Sequence, residues 1–335
     1  MTGSLLVTGG MGFIGSHTCI ALAEAGFNVI IFDNLANSGR DVLDRLQQIT
    51  GQSFQFIEGD IRDGALLDHV FSTQTISAVM HFAGLKAVGE SVAMPLEYFD
   101  NNVSGTVTLL RAMRRAGVST LVFSSSATVY GNPDRFPTRE DAPRSVTSPY
   151  GRCKLMIEDI LQDLIATAPG FNVASLRYFN PAGAHPSGLI GEAPMGRPNN
   201  LMPHVMRAAF DGKQPVDIFG GDYPTCDGTG VRDYVHVMDV AEGHLAALRY
   251  LHAHGGAITV NLGRGEGTSV LQLIHAFELA SGRTVPHRIV ARRPGDIAEC
   301  WADTTLAKRQ LDWTATRSLQ EICADAWRWQ VSRAG

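Results

Sequence analysis

Ser4-Leu-Leu-Val-Thr-Gly-Gly-Met-Gly-Phe-Ile-Gly15 decides the fold of this 335-residue chain. The apolar run 4–7 reads as a short buried strand. Gly9, Gly12 and Gly15 then fall as GxxGxxG, and helical character begins at 15–25. Glycine permits the tight turn and lets the backbone approach a pyrophosphate, while the helix N-terminus behind it offers free N–H groups and a positive dipole end. Glycine-rich turns are common, so the context matters. A second strand at 28–32 ends at Asp33, which stands 18 residues after Gly15. An acid there can accept both ribose hydroxyls of NAD and repels a 2′-phosphate.

Outward from this unit, strand patterns recur at 54–57, 78–82, 120–123 and 173–177, each ending in a loop with Gly, Asp or Ser. Helical patterns lie between them, among them 103–116 and 148–166. Such alternation, with continuously apolar strands, predicts an α/β fold whose parallel sheet is covered on both faces. The pattern changes after Asn180. Residues 181–203 hold five Pro and four Gly with no clear period, which suggests a functional loop or lid. Helices are then expected at 201–210 and 237–251, and strands at 216–219 and 257–262.

Composition narrows the function classes. Apolar residues make up 44% and charged residues 18%, as in ordinary soluble domains. The 28 basic residues against 33 acidic give −5, the wrong sign for a general nucleic-acid binder. The five cysteines are scattered without a CxxC pair, so neither a metal site nor a disulfide framework is expected and a reducing, cytoplasmic setting is the simpler reading. The first charged residue is Glu24, yet the four glycines of 9–15 and the polar residues 16–18 rule out a membrane span or signal peptide there.

Ligands of open α/β sheets bind beyond the carboxyl ends of the strands. Asp60, after the third strand, fits either an adenine contact or a helix cap. Lys86 sits in the apolar, glycine-containing loop Phe82-Ala-Gly-Leu-Lys86, which favours a cofactor contact. Tyr150 and Lys154 form Tyr-x-x-x-Lys at the start of a helix and share one face. A free Tyr has a pKa of about 10, and a neighbouring cation lowers it toward a usable base. Ser124-Ser-Ser126 follows the fifth strand, where a serine can share a substrate proton with that tyrosine.

In this order the elements resemble the extended short-chain dehydrogenase/reductase family and, within it, the UDP-glucose (UDP-galactose) 4-epimerases. The resemblance rests on Val-Thr-Gly-Gly-Met-Gly-Phe-Ile-Gly-Ser-His (7–17), His-Phe-Ala-Gly-Leu-Lys-Ala-Val-Gly-Glu-Ser (81–91), Ser-Ser-Ser-Ala-Thr-Val-Tyr-Gly (124–131) and Ser-Pro-Tyr-Gly (148–151). Later stretches are more specific: Arg-Tyr-Phe-Asn-Pro-Ala-Gly-Ala-His-Pro-Ser-Gly (177–188), Asn-Asn-Leu-Met-Pro (199–203), Asp-Gly-Thr-Gly-Val-Arg-Asp-Tyr-Val-His-Val-Met-Asp (227–239) and Arg-Arg-Pro-Gly-Asp (292–296).

The resemblance implies a Rossmann-type doubly wound parallel sheet over 1–180, with a segment near 233–262 a candidate to return to it. A smaller C-terminal α/β substrate domain would cover 181–335. It implies a resident NAD, a UDP-sugar substrate and a homodimer, with 96–116 and 148–166 as candidate pairing helices. Tyr150 would take the proton of the sugar 4-OH, Ser126 would assist it, and Lys154 would hold the nicotinamide ribose. Matching cofactor positions are Gly9, Gly12, Phe13, Ile14, Gly15, Asp33, Asn34, Asn37, Ser38, Asp60, Ile61, Phe82, Ala83, Gly84, Lys86, Asn101, Tyr150, Lys154 and Phe179. Matching substrate positions are Lys86, Ser126, Tyr150, Asn180, Asn200, Leu201, Phe219, Arg232, Tyr234, Arg293, Asp296 and Cys300. Arginine suits a diphosphate because its guanidinium is a permanently charged fork; an ion pair of Arg232 with Asp233 is the bland alternative.

Cys300 departs from the tyrosine found in many bacterial members. Two readings stay open: room for a 2-acetamido group, so that UDP-GlcNAc and UDP-GalNAc also interconvert, or a small buried hydrophobe. A 4,6-dehydratase would want carboxylates after the serines, where Ser126-Ala-Thr-Val129 has none. A non-catalytic NAD-binding protein need not keep Ser126, Tyr150 and Lys154 together.

Overall fold

Neighbouring residues of the first strand part company: Leu5 and Val7 pack on one face of a parallel sheet and Leu6 on the other, all fully buried. That two-sided burial is why the strands read as unbroken apolar runs rather than alternating ones. The computed structural model describes residues 3–196, 198–293 and 296–334.

The first half runs β1 (Ser4–Thr8), α1 (Phe13–Glu24), β2 (Val29–Asp33), α2 (Asp41–Thr50), β3 (Gln55–Glu58), α3 (Gly64–Thr73), β4 (Ile76–His81), α4 (Val88–Ala93), α5 (Pro95–Tyr98), α6 (Gly105–Arg115), β5 (Thr120–Ser126), α7 (Pro149–Thr167) and β6 (Asn172–Tyr178). The second half runs β7 (Asn180–Ala182), α8 (Leu201–Asp211), β8 (Val216–Phe219), β9 (Val231–Arg232), β10 (Tyr234–His236), α9 (Val237–His254), β11 (Ala257–Leu262), β12 (Thr268–Ser269), α10 (Val270–Ser281), β13 (His287–Val290), β14 (Glu299–Cys300), α11 (Thr305–Leu311) and α12 (Leu319–Ala334).

Seven strands form one parallel sheet in the order β11-β6-β5-β4-β1-β2-β3. The order reverses direction between β1 and β4, and this switch point opens a crevice at their carboxyl ends. The loops leaving the two strands stay tied there, because Phe82 and Ala83 both donate their N–H to the Thr8 carbonyl, at 2.9 and 3.0 Å. One face is covered by α1, α2, α9 and α11, through residues such as Ile20, Leu46, Leu248 and Leu311. The other is covered by α3, α6 and α7, through Leu67, Met113 and Leu161. A separate core joins α8, α10 and α12 to β8, centred on Val205, Phe277 and Trp329.

The stretch expected as a helix from residue 96 is interrupted. A wide π-type turn, Phe99–Ser104, lies between α5 and α6 and displaces Asn101 and Asn102 from the regular spiral. The irregular segment 181–203 carries β7 at its start, which pairs with β10, and an Ala184–Gly191 bridge. No helix among the described residues is long and apolar enough to cross a membrane.

Candidate active site

A cleft of about 440 Å³ opens at the switch point. Its floor is the glycine turn, and the side-chain-free edges there are required. A Cβ at Gly15 would come within 2.2 Å of the Gly9 carbonyl oxygen. At Gly9, whose φ is +71°, a Cβ would meet the Ala83 nitrogen at 2.5 Å. Gly12 caps α1 without a side-chain bond, so the first-turn N–H groups of α1 are left for an external anion. Gly9, Gly12, Phe13, Ile14 and Gly15 all line the cleft. A backbone cradle of this kind fits a dinucleotide pyrophosphate.

Asp33, Asn34, Asn37 and Ser38 continue the wall from the end of β2. Asp33 is buried, and that burial raises its carboxyl pKa. Its oxygens accept from the N–H groups of Met11 (3.0 Å) and Leu35 (2.8 Å) and from the Ser38 hydroxyl (3.2 Å), so the acid also fastens the glycine turn to the next loop. Asp60 does not cap the following helix. Asp63 does, accepting from the Leu66 N–H. Arg62 grips Asp60 through Nε and NH2 at 2.9 and 2.8 Å and holds its carboxyl well below the usual range. Asp60 also accepts from Asn34, while Ile61 beside it lines the cleft.

Phe82, Ala83, Gly84 and Lys86 form the opposite wall with Asn101. Asn102 holds this loop in shape, its side chain accepting from the Leu85 N–H (2.8 Å) and donating to the Leu85 carbonyl (2.9 Å). Lys86 Nζ pairs with Glu192 at 3.0 Å.

The expected proton-transfer residues stand at the end of β5 and the start of α7. Ser126 Oγ accepts from the Thr128 N–H (3.2 Å) and hydroxyl (3.0 Å), which leaves its own proton to be donated. Its hydroxyl, as a potential donor, favours the Tyr150 phenolate. Tyr150 is partly buried and lines the cleft wall. Burial outweighs the serine and pushes the phenol up to about 12. Lys154 Nζ lies 5.9 Å from the centre of the Tyr150 ring. Lys154 is itself buried, pushed down to about 8, and spends a 2.6 Å hydrogen bond on the Ser124 carbonyl.

Beneath the serines lies a network that nothing in the sequence pattern signalled. Glu158 of α7 accepts from Ser125 (2.5 Å) and takes a two-pronged grip from Arg177 of β6 (2.9 and 2.7 Å). Arg177 also donates to the Tyr130 hydroxyl, which donates to Asn261. Both partners of the ion pair are buried, so it locks β5, β6 and α7 in register.

Apart from Lys86 and Tyr150, the expected substrate positions do not line this cleft. Arg232 and Cys300 are cross-strand neighbours on β9 and β14. The Arg232–Asp233 ion pair is not formed: Arg232 turns to the carbonyls of Val231 and Ala298, while Asp233 accepts from the backbone of Arg264, Gly265 and Ala302. The Arg293 guanidinium lies 3.7 Å over the Phe219 ring, and the exposed Asp296 donates its N–H to the Arg293 carbonyl. Asn180 pairs with Tyr234 across β7 and β10, and burial pushes the Tyr234 phenol up to about 12. Asn200 and Leu201 open α8. Phe179 and Cys300 pack together with Val129, Tyr130 and Ala302 in a small core rather than on the cleft wall.

A family model described as the NAD dependent epimerase/dehydratase family matches residues 5–263. A UDP-glucose 4-epimerase of Bacillus subtilis (strain 168) is 55% identical over 98% of this chain and 97% of its own. A crystal structure of the Stenotrophomonas maltophila UDP-glucose-4-epimerase, with bound NAD and formylated UDP-arabinopyranose, superposes with a TM-score of 0.97 at 52% identity, covering 99% of this chain and 100% of that one. That of the Bifidobacterium longum enzyme, in complex with NAD+ and UDP, gives a TM-score of 0.95 at 47% identity, covering 99% of each chain. With its glycine turn, its acid after the second strand and its Ser-Tyr-Lys corner, this chain belongs to the NAD dependent epimerase/dehydratase family, in its UDP-glucose 4-epimerase branch.

Proposed function

We propose that the protein interconverts UDP-glucose and UDP-galactose by oxidising and re-reducing the sugar at C4. The observation that carries this reading is the placement of Tyr150 and Lys154 on the wall of the dinucleotide cleft, at the end of the strand that carries Ser126, with Lys154 fixed by the Ser124 carbonyl. In the proposed division of labour, the glycine turn and the α1 N-terminus bind the pyrophosphate and Asp33 receives the adenosine ribose. Bound NAD supplies a hydride acceptor and a positive charge at the nicotinamide.

Tyr150 then holds and moves the 4-OH proton. Ser126 donates to the tyrosine oxygen and steadies the anion, which opposes part of the burial that keeps Tyr150 protonated, and the positive nicotinamide of bound NAD would oppose it further. Lys154 fixes the ribose side and adds positive charge, its position set by the Ser124 carbonyl. Arg232 and Arg293 bind the diphosphate as permanent charges. A dehydratase reading lacks the carboxylates it would need beside Ser126.

Purified protein, given UDP-galactose and no added nicotinamide cofactor, is expected to form UDP-glucose. No conversion would overturn the proposal. The same assay with UDP-GalNAc addresses Cys300, which neighbours Arg232 on the proposed substrate side. We expect conversion of the acetamido sugar; its complete refusal leaves Cys300 as a small hydrophobe.

The homodimer and the cytoplasmic setting belong to the same proposal. Val88 and Val92 on α4, Met94 between the helices and Leu96 on α5 leave 45, 64, 45 and 76% of their surface exposed, and both helices pack on α7, which carries the exposed Met156. Large apolar side chains clustered on one face are the mark of a contact surface. Sedimentation should show a dimer that Leu96→Glu weakens; a monomer in both cases removes this part of the proposal.

A further inference from the structure

The segment 189–195 is tied to both walls of the proposed cofactor cleft. In the sheet, β2 and β4 flank β1 on opposite sides, so the loops leaving them stand on either side of the glycine turn. Met195 donates its N–H to Asn37 Oδ1 on the β2 side, at 3.2 Å. Glu192 receives Lys86 Nζ from the β4 side, at 3.0 Å. A chain fastened to both loops spans the crevice between them, and residues 190–195 line it along that span.

A third attachment comes from α12 and α2. Trp329 of α12 donates its indole N–H to the Glu192 carbonyl at 3.4 Å. Its ring lies so close to Gly191 that a Cβ there would come within 2.5 Å of the ring. Arg45 of α2 places its guanidinium 5.0 Å over the same ring and donates to the Leu189 carbonyl at 3.0 Å. Apart from the single Ala184–Gly191 bridge, no helix or strand runs through 189–195. Its position therefore depends on these side chains, and a segment held by so few contacts opens more readily than the sheet beneath it.

We infer that residues 189–195 form a strap that retains the dinucleotide in its cleft, and that Trp329 and Arg45 are positioning residues that clamp the strap shut. The inference rests on the proposed placement of NAD along the glycine turn, between the two loops that the strap joins. The cofactor then leaves only when the strap lifts. Trp329 and Arg45 also line the cleft, so the experiment has to separate clamping from direct contact.

The test follows exchange of the resident cofactor. Purified protein is mixed with excess isotopically labelled NAD, and the rate at which label replaces bound NAD is measured beside kcat at saturating NAD and UDP-galactose. Arg45→Met and Trp329→Leu should each speed exchange about tenfold, as loss of a hydrogen bond together with a cation–π contact implies. Their kcat at saturating NAD should stay within about twofold of wild type, because neither group takes part in the chemistry. Should Trp329→Leu fail to fold, Trp329→Phe keeps a ring, removes only the indole N–H and should speed exchange about threefold. The double variant should match the larger single effect within about twofold, since both groups hold one strap.

Exchange at the wild-type rate in the folded variants overturns the inference. So does multiplication to about a hundredfold in the double variant, the mark of two independent ligand contacts. A tenfold gain in Asp41→Asn overturns it as well, because that change breaks only the 3.0 Å ion pair of Arg45 along its own helix. Turnover of UDP-galactose with NAD added tests the epimerase reading separately. Wild-type protein that turns over yet exchanges NAD as fast as its variants overturns the strap alone.

Discussion

The corner proposed for chemistry and the surface proposed for the diphosphate are built differently. At the first, Ser124, Ser126 and Lys154 are buried, each is held by named hydrogen bonds, and the Arg177–Glu158 pair fixes the strands and helix that carry them. At the second, Arg293 is exposed and rests on a ring, and its strands β9 and β14 are two residues long. Proton and hydride transfer need reacting atoms placed to fractions of an ångström, whereas a diphosphate grip must open for exchange. The molecule spends its rigid parallel sheet on the first task and short, partly open elements on the second.

The sharpest way to break this contrast is Tyr150→Phe. It removes one oxygen from the rigid corner and should cut kcat about a thousandfold, within the usual range for a general acid or base. NAD content and melting temperature should stay unchanged. Activity within tenfold of wild type would show that the proton passes elsewhere. Arg293→Ala probes the open side and should raise KM about tenfold with kcat nearly constant, as loss of a uniform binding contact does. A fall in kcat instead would place Arg293 in the chemistry and erase the distinction.

The smallest effect concerns pH. Burial lowers His17 and His81 to about 3 and His244 to about 4, from an ordinary 6.5. The folded state holds them neutral, so below about 6.5 the unfolded chain binds more protons and stability falls as pH falls toward 3. Asp233, pushed up to about 6, works in the opposite direction below that value. Melting temperature should therefore decline from pH 6.5 to 5, and His81→Asn should flatten the decline. A melting temperature constant over that range would contradict the burial of these rings.

Legibility from the chain followed the same divide. Strands β1, β2, β4, β5 and β6 were readable because burial on both faces makes them short apolar runs bounded by glycine or acid. Helix α12 carried no such signal, since Asp325 sits on its buried face beside Ile322 and Ala326 and breaks the apolar stripe. Two partners make that acid acceptable there: Arg328 one turn along the helix and His236, 89 residues away in the chain. Asp60 and Asp63 illustrate a finer limit. Both are plausible caps by type, and the backbone direction after β3 decides in favour of Asp63.

By itself the sequence determined what short-range sterics and helical period control: the glycine turn, the acid after the second strand, and the Tyr150–Lys154 pair on one face. These depend on neighbours within one turn or one loop, so spacing is enough to read them. Tertiary structure alone decided the proton affinity of Tyr150, because burial is set by elements far apart in the chain. It alone joined Lys86, Glu192 and Asn200, the first two separated by 106 residues. Charge and hydrogen-bond energies depend on distance and dielectric, and neither exists until the chain has folded.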